Sequence, residues 1–339
     1  MRCALLLIAV LAAAPGVAAA AARPGAERCV AAAQVFLDGL VPAQRQRVVR
    51  PWSDAARGKP MFPPGITPAP TGMRIGELAD GQRVRLHDFL GCALSSQGYQ
   101  KVAGIIRRGD MVADTYKDLP APQRETRAKT GALHFWITLF GDPSADKPFG
   151  WRLEGHHLLL QFSVERGLLV PGPTWLAVDP AVMTKGTWAG FRILDAEFTR
   201  GLELLEGLGE AHRRQAIVAD RVPQEMATTP GSRAQRGAAA GLPVGTMSLP
   251  EREIFWRLVD EYLGNLEAGT AARLRRQIES EGGLHFAWRG PAERGQPVYY
   301  RVQGPSLDLE FSHALDVRGP QRGFDLNHIH TWWHIRPAP

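Results

Sequence analysis

Apolar residues recur with a helical period in the stretch 248–263, which therefore predicts an amphipathic helix. Six of them fall at the three- and four-residue spacings that share one helix face: Ile254, Phe255, Leu258, Val259, Tyr262 and Leu263. Ser248 and Glu251 have the spacing of a capping box, and Pro250 falls in the first turn. The helix is therefore predicted to begin near Ser248.

A different pattern, rich in β-branched and aromatic residues, occupies stretches 133–164 and 284–313 and predicts strands. In the first stretch, two such runs flank a turn-forming segment rich in glycine, aspartate and proline. We interpret RLEGHHLLLQFSV, residues 152–164, as one half-buried strand. RVQGPSLDLEFSH, residues 301–313, aligns with it without a gap and is interpreted in the same way.

Four sequence blocks recur in the same order, which indicates an internal duplication. The matching blocks are 36–49 with 204–218, 72–90 with 241–259, 131–135 with 282–286, and 152–164 with 301–313. The predicted fold class is α+β, with two diverged copies of a helices-then-β-hairpin unit. Their strands are expected to form a shared antiparallel sheet packed on the helices.

The predicted organisation has four segments that together form one intertwined domain. They are a signal peptide (1–22), a first repeat unit (23–190), a second repeat unit (191–316) and a histidine-rich C-terminal extension (317–339). A positive start, an apolar run from Ala4 to Ala14 and small residues up to Ala22 are typical of a secretory signal. We therefore expect a periplasmic or secreted protein, with no membrane span in the mature chain.

The mature chain would retain two cysteines, Cys29 and Cys92. In an oxidising compartment they can pair, and two separate buried thiols are the alternative. The sequence leaves both alternatives open.

Charge and motif content narrow the function classes. Forty Lys and Arg against 34 Asp and Glu give a net charge of +6, but the basic residues are dispersed along the chain. A nucleic-acid partner is therefore not expected. No glycine-rich phosphate loop, Ser-His-Asp spacing or cysteine-based zinc pattern occurs in the sequence.

The first candidate chemistry lies in the strand that begins at Arg152. Glu154, His156 and His157 have no counterpart in the second copy, where Gln303, Pro305 and Ser306 align with them. A fold shared by both copies cannot require them. On one continuous strand, Glu154 and His156 would point to one face and His157 to the other.

The second candidate group is NHIHTWWHI, residues 327–335. His328 and His330 form a His-x-His pair, which on a strand presents two imidazoles to a single ion. A transition metal such as Zn, Cu or Fe would suit a site of His156, His157, His328 and His330, with Glu154 or Glu310 completing it. A surface histidine tract is the alternative interpretation.

These segments also carry a family resemblance. The stretch HFWITLFGDPSADKPFGWRLEGHHLLLQFSV, the later YYRVQGPSLDLEFSH and the terminal NHIHTWW resemble an uncharacterised family, domain of unknown function 3500. The resemblance extends over almost the whole mature chain. It implies a protein that is often secreted, and it implies no established reaction.

Three functions remain open at this level. The first is a metal-dependent hydrolase or oxidase with Glu154 as a base and Arg152 holding an anionic group. The second is a metal-free enzyme that uses Glu154 and Glu310 as acid and base. The third is a non-catalytic ligand-binding or scaffold protein with a tryptophan-lined groove. The substrate, whether a small molecule or a polymer, is not predicted.

Overall fold

The computed structural model describes residues 25–59, 70–112, 120–128, 130–144, 146–223, 226–227, 236–313 and 326–336. The predicted signal peptide, residues 1–22, lies outside the described residues. The helices are α1 (Gly25–Asp38), α2 (Pro42–Val48), α3 (Asp80–Gly91), α4 (Ser96–Met111), α5 (Ala121–Ala128), α6 (Asp195–Gly207), α7 (Glu210–Ala216), α8 (Leu249–Leu263) and α9 (Ala268–Glu281).

The strands form a single sheet. They are β1 (Val49–Arg50), β2 (Met73–Arg74), β3 (Phe135–Phe140), β4 (Phe149–Gly155), β5 (Leu158–Glu165), β6 (Leu168–Pro171), β7 (Thr174–Val178), β8 (Ile217–Ala219), β9 (Leu242–Pro243), β10 (His285–Arg289), β11 (Val298–Gln303), β12 (Leu307–His313) and β13 (Ile329–Ile335). The main path is β1-β3-β4-β5-β7-β13-β12-β11-β10-β8, and β2, β6 and β9 pair with β3, β5 and β10.

The sheet is mixed, so the α+β class is confirmed while the prediction of a wholly antiparallel sheet is wrong at its two edges. β1 runs parallel to β3, and β8 runs parallel to β10. Both edge strands directly follow a short helix, α2 or α7. Because long crossovers separate each edge strand from its partner, the two can run in the same direction.

The single strand predicted for residues 152–164 is in fact a tight hairpin. β4 ends at Gly155, β5 begins at Leu158, and these two residues pair, which leaves His156 and His157 as a two-residue turn. His157 adopts a left-handed φ of 66°, which is uncommon for a residue other than glycine. The sequence contains no Asn-Gly or Asp-Gly signal there, so the turn was not predicted. The alternation of side chains along the strand ends at Gly155. The prediction that His156 and His157 point to opposite faces of one strand is therefore wrong.

The corresponding stretch in the other half has the same form. Gly304 pairs with Leu307 through a backbone hydrogen bond of 2.8 Å, and Pro305 and Ser306 form the turn. Each half therefore contributes a three-stranded antiparallel meander, β3-β4-β5 or β10-β11-β12.

The two meanders are joined through β13, which lies between β7 and β12. Seven residue pairs align β13 with β12, from Leu307 opposite Ile335 to His313 opposite Ile329. Ile329 also lies opposite Val178 of β7. The C-terminal segment is therefore a central strand of the sheet.

Alternation along the strands gives the sheet two different faces. One face carries large apolar side chains such as Trp151, Leu160, Phe311 and Trp333, which pack with the helices in the main core. The other face carries buried polar residues beside a small apolar cluster of Leu159, Trp175, Ala177, Met226, Tyr299 and Trp332. Candidate chemistry is concentrated on this second, polar face.

The helix predicted from residue 248 is confirmed as α8. Phe255, Leu258 and Val259 are buried against the core. Ser248 and Glu251 form the predicted capping box, in which the Glu251 carboxylate accepts hydrogen bonds from the Ser248 and Gly209 amides at 2.7 and 2.9 Å. None of the helices in the described part of the chain combines the length and the apolar character needed to cross a bilayer.

A disulfide joins Cys29 of α1 to Cys92 at the end of α3. Both residues are buried, and the bond closes a loop with a sequence separation of 63. This resolves the two alternatives that the sequence left open.

We expect loss of the disulfide to destabilise the fold. A loop with a separation of 63 residues restricts the unfolded chain enough to contribute about 4 kcal/mol in the chain-entropy description. Urea unfolding of the oxidised protein should give a free energy of unfolding larger by about this amount than that of a Cys29→Ser/Cys92→Ser variant. Equal values for the two proteins would contradict the prediction.

The Glu251 cap predicts a pH-dependent stability. Burial alone would raise the pKa of Glu251, but hydrogen bonds from Gly209, Ser248 and His212 lower it from 4.5 to about 2. Because the folded pKa lies below the unfolded one, the stabilisation is fully present above pH 4.5 and is lost as the pH falls toward 2. A Glu251→Gln substitution should therefore cost up to roughly 3 kcal/mol at pH 7 and progressively less below pH 4.5. Denaturant titrations across this range, with Glu253→Gln on the same helix as control, test it; a cost that does not change with pH would contradict it.

Candidate metal centre

Three imidazoles meet at one end of the sheet. His157, His328 and His330 each offer a ring nitrogen, and these nitrogens lie within 4.8 Å of one another. The residues are 5%, 6% and 6% exposed. We call this trio the histidine group. His157 and His328 are separated by 171 positions in the sequence, so the fold itself assembles the group.

Backbone pairing positions each member. The His157 carbonyl accepts a hydrogen bond of 2.9 Å from the Ala177 amide, which ties the β4–β5 turn to β7. His330 lies directly opposite Ala177 on β13. His328 follows Asn327, whose side chain is bonded to the backbone of Val182 in both directions, at 2.7 and 2.9 Å. The turn and the start of β13 are therefore held against the same strand.

The spacing of the nitrogens suits a bound transition metal. The Nε2 atoms of His157 and His328 are 3.2 Å apart, and the rings of His328 and His330 lie nearly perpendicular with centroids at 4.4 Å. Two nitrogens bound to one zinc ion at 2.0–2.1 Å in tetrahedral geometry would lie about 3.3 Å apart. Neutral imidazole is also a ligand for copper and iron.

Electrostatics favour the neutral, metal-ligating form of these histidines. Burial lowers the pKa of His157 well below its usual range, and charge on the neighbouring histidines and on Arg108 would lower it further. Burial, followed by repulsion from His328 and His156, also lowers the pKa of His330 well below its usual range. A neutral imidazole has a free lone pair for a metal.

One feature departs from the usual metal site. Metal-ligating histidines generally donate their second ring nitrogen to a fixed acceptor. Nδ1 of His157 is buried and has no hydrogen-bond partner among the described residues. The tautomer of His157 is therefore not fixed by a protein acceptor in the described part of the chain.

Aromatic and polar residues surround the group. The Trp175 ring packs against His330 with centroids at 4.8 Å, and the His156 ring lies 4.0 Å from that of His157. His156 is only half-buried and therefore borders the group on its more exposed side. The sequence analysis did not identify Trp175 or Arg108 as part of this environment. Trp175 lies in a short apolar strand without charged residues, and Arg108 lies in a helix whose other buried residues are mostly apolar.

Arg152 and Glu154 do not belong to the histidine group. They form a buried ion pair of 2.9 Å, and each is 1% exposed. Arg152 also donates to the Ala56 carbonyl at 2.7 Å and to the Thr71 hydroxyl at 3.2 Å. These contacts direct its guanidinium toward the loop that follows β1.

Glu310, the other candidate carboxylate, is engaged elsewhere on the polar face. It is fully buried, lies opposite Trp332, and accepts hydrogen bonds of 2.7 Å from the Tyr299 hydroxyl and the Ala227 amide. Of the residues predicted for the site, the structure brings together His157, His328 and His330, with His156 beside them.

The chain belongs to the protein family of unknown function DUF3500, whose family model matches residues 23–336. This confirms the resemblance seen in the sequence. No curated protein and no solved structure matches the chain.

The ion pair generates a prediction about its role. A Glu154→Gln substitution leaves the buried Arg152 charge without its carboxylate, which should lower the free energy of unfolding by about 3–5 kcal/mol. An Arg152→Met/Glu154→Leu double variant removes both charges and should lose less than the single variant. Urea unfolding of both variants gives the two costs. A double variant that loses more stability than Glu154→Gln would contradict the prediction.

Proposed function

We propose that this protein is an exported metal-dependent enzyme, a hydrolase or an oxidase, with its ion held by His157, His328 and His330. The convergence of three buried imidazoles from segments far apart in sequence carries the proposal. His157 and His328 share one hydrogen bond through their Nε2 atoms, but Nδ1 of His157 is buried with no partner among the described residues, which is costly. An ion bound by all three residues would satisfy a buried ring nitrogen of each.

Three protein ligands are the number found in catalytic zinc sites. Such a site keeps one coordination position for water or substrate, and the ion lowers the pKa of that water. His156, half-buried and next to His157, is placed to exchange a proton with a bound molecule. Trp175 packs on His330 and excludes water from that side.

In this proposal Arg152 and Glu154 act as positioning residues. Their hydrogen bonds join β4 to the loops at Ala56 and Thr71, just before the turn that carries His157. The catalytic roles predicted for them from the sequence, a base and an anion-holding cation, would require their carboxylate or guanidinium at the ion and stay predictions.

Export is supported by the signal-like N-terminus and by the disulfide between Cys29 and Cys92. We also propose that the two halves arose by duplication. Support comes from the repeated sequence blocks and from the equivalent hairpins that follow Gly155 and Gly304. Since Pro305 and Ser306 occupy the second turn, the proposal provides for one ion per chain.

The metal-free alternative fits the geometry poorly. Glu154, Leu159, Trp175, Trp332 and Glu310 form one row across five neighbouring strands. Four strand spacings place the two glutamates roughly 19 Å apart. A glycosidase requires carboxyl groups about 5–9.5 Å apart.

The binding-protein alternative relied on tryptophans that line a groove. Trp151, Trp288, Trp332 and Trp333 are at most 3% exposed and are packed within the core clusters. These four stabilise the fold and leave little ring surface for a ligand. Trp136 on β3, the fifth tryptophan of the predicted groove, is half-buried.

Metal content tests the proposal. The mature protein, purified from its native compartment, should contain about one transition-metal ion per chain, because three buried imidazoles form one site. His328→Ala/His330→Ala should lose the ion, and His285→Ala, a half-buried histidine of the other half, should retain it. Elemental analysis by mass spectrometry, with circular dichroism to confirm folding, gives the result. Metal-free wild-type protein, or retention by the double variant, would contradict the proposal.

A further inference from the structure

A second candidate site lies on the polar face in the other half of the sheet. It is a cavity of about 330 Å³, and its lining includes Arg236, Arg289, Arg301, Tyr299 and Gln303. We call it the arginine cavity. Its volume lies in the range of small-molecule sites. His330, Ser312 and Tyr299 lie opposite one another on successive strands, so the cavity is roughly 10 Å from the histidine group.

The described residues that line the arginine cavity carry positive charge. Three arginines line it, and no carboxylate is among its lining residues in the described part of the chain. Arg289 forms no ion pair with any described residue, since none of the salt bridges includes it. A cation in a recess, with no paired acid, attracts an anionic group.

The nearest acids are already engaged. Asp308 is bound by Arg236 at 2.9 Å and by Arg336 at 2.5 Å, and it lies 3.9 Å from Arg301. Glu310, opposite Arg301 on β12, accepts the Tyr299 hydroxyl. Three arginines thus approach the single carboxylate of Asp308, and Arg289 has no ion-pair partner among the described residues.

The position on β4 that corresponds to Arg301 is occupied by Arg152, which is fully ion-paired. Arg152 on β4 donates to Glu154 two residues later. Arg301 on β11 has Gln303 at that position. An amide cannot neutralise a guanidinium, so the acid nearest to Arg301 is Asp308, at 3.9 Å, and Arg301 also donates to the Arg236 carbonyl at 2.7 Å.

Two polar atoms beside the cavity need complementary partners. Gln303 is 4% exposed, and its amide nitrogen donates to the Gly237 carbonyl at 3.1 Å, while its Oε1 is buried and receives no hydrogen bond from a described residue. Nε of Arg301 likewise has no acceptor among the described residues. Both atoms are buried, so a hydroxyl donor and an oxyanion of a bound molecule would reach them once the two side chains shift toward the cavity.

We infer that the arginine cavity binds the oxyanion, carboxylate or phosphate, of a small hydroxylated molecule. Arg289 and Arg301 hold the anion, and Gln303 accepts a hydroxyl. The site requires no metal ion, so it stands apart from the function proposed for the histidine group.

Three related probes separate charge from shape: D-glucuronate, D-glucose 6-phosphate and neutral D-glucose. Isothermal titration of the wild-type protein should show binding of at least one of the two anions, with glucose at least about ten-fold weaker. Preference for glucuronate or for the phosphate identifies the carboxylate or the phosphate as the natural group. Binding of neither anion, or equal binding of glucose, would overturn the inference.

Variants assign the binding to the cavity. Arg289→Gln and Arg301→Gln should each weaken anion binding by about ten-fold or more, whereas Arg45→Gln, an exposed arginine of the first half, should not. Arg289 forms no ion pair with a described residue, so its variant should keep the wild-type melting temperature. His328→Ala/His330→Ala should bind the anion like the wild type. Wild-type affinity in both cavity variants would overturn the inference.

Discussion

The pairing of β13 between β7 and β12 is the constraint on which the rest of the structure depends. It joins two three-stranded meanders into one sheet, and within residues 329–335 every residue except His334 is buried. It also sets His330 opposite Ala177, which receives the turn that carries His157. Without β13, no strand pairing would bring His330 close to His157, and β7 and β12 would be exposed edge strands.

The two faces of the sheet contribute differently: one provides the hydrophobic core, and the other carries the buried polar and charged residues. The helix-facing side supplies hydrophobic burial, the dominant favourable contribution to folding. The polar face holds charges that are costly to bury and are stable only where they are paired. Arg152 with Glu154, and Asp308 with its arginines, show this pairing. Among the described residues, Nδ1 of His157 and Nε of Arg301 are buried atoms without a hydrogen-bond partner, and they lie in the histidine group and at the arginine cavity.

Local sequence signals predicted part of this architecture. The α8 cap, the apolar stripe from Ile254 and the strand-rich ends of both halves follow from spacing and turn chemistry. The His156–His157 turn was missed because a continuous apolar run conceals a two-residue reversal in which His157 adopts φ 66°. The His-x-His pair could be recognised in the sequence as a candidate site. Trp175 and Arg108 could not, because they come close to the histidines only through contacts between segments far apart in the sequence. His157 was a further signal, because the aligned position in the other half of the sheet is Ser306, so the shared strand pattern does not require a histidine there.

Histidines from the middle of the chain, His157, and from its C-terminal part, His328 and His330, are proposed to bind one ion. X-ray absorption spectroscopy of the metal-loaded wild-type protein tests this proposal most directly, because it reports the type and number of ligands. The account predicts three imidazole nitrogens at about 2.0–2.1 Å if the ion is zinc. A shell of oxygen ligands alone, or a protein that takes up no transition metal when it is offered, would contradict it.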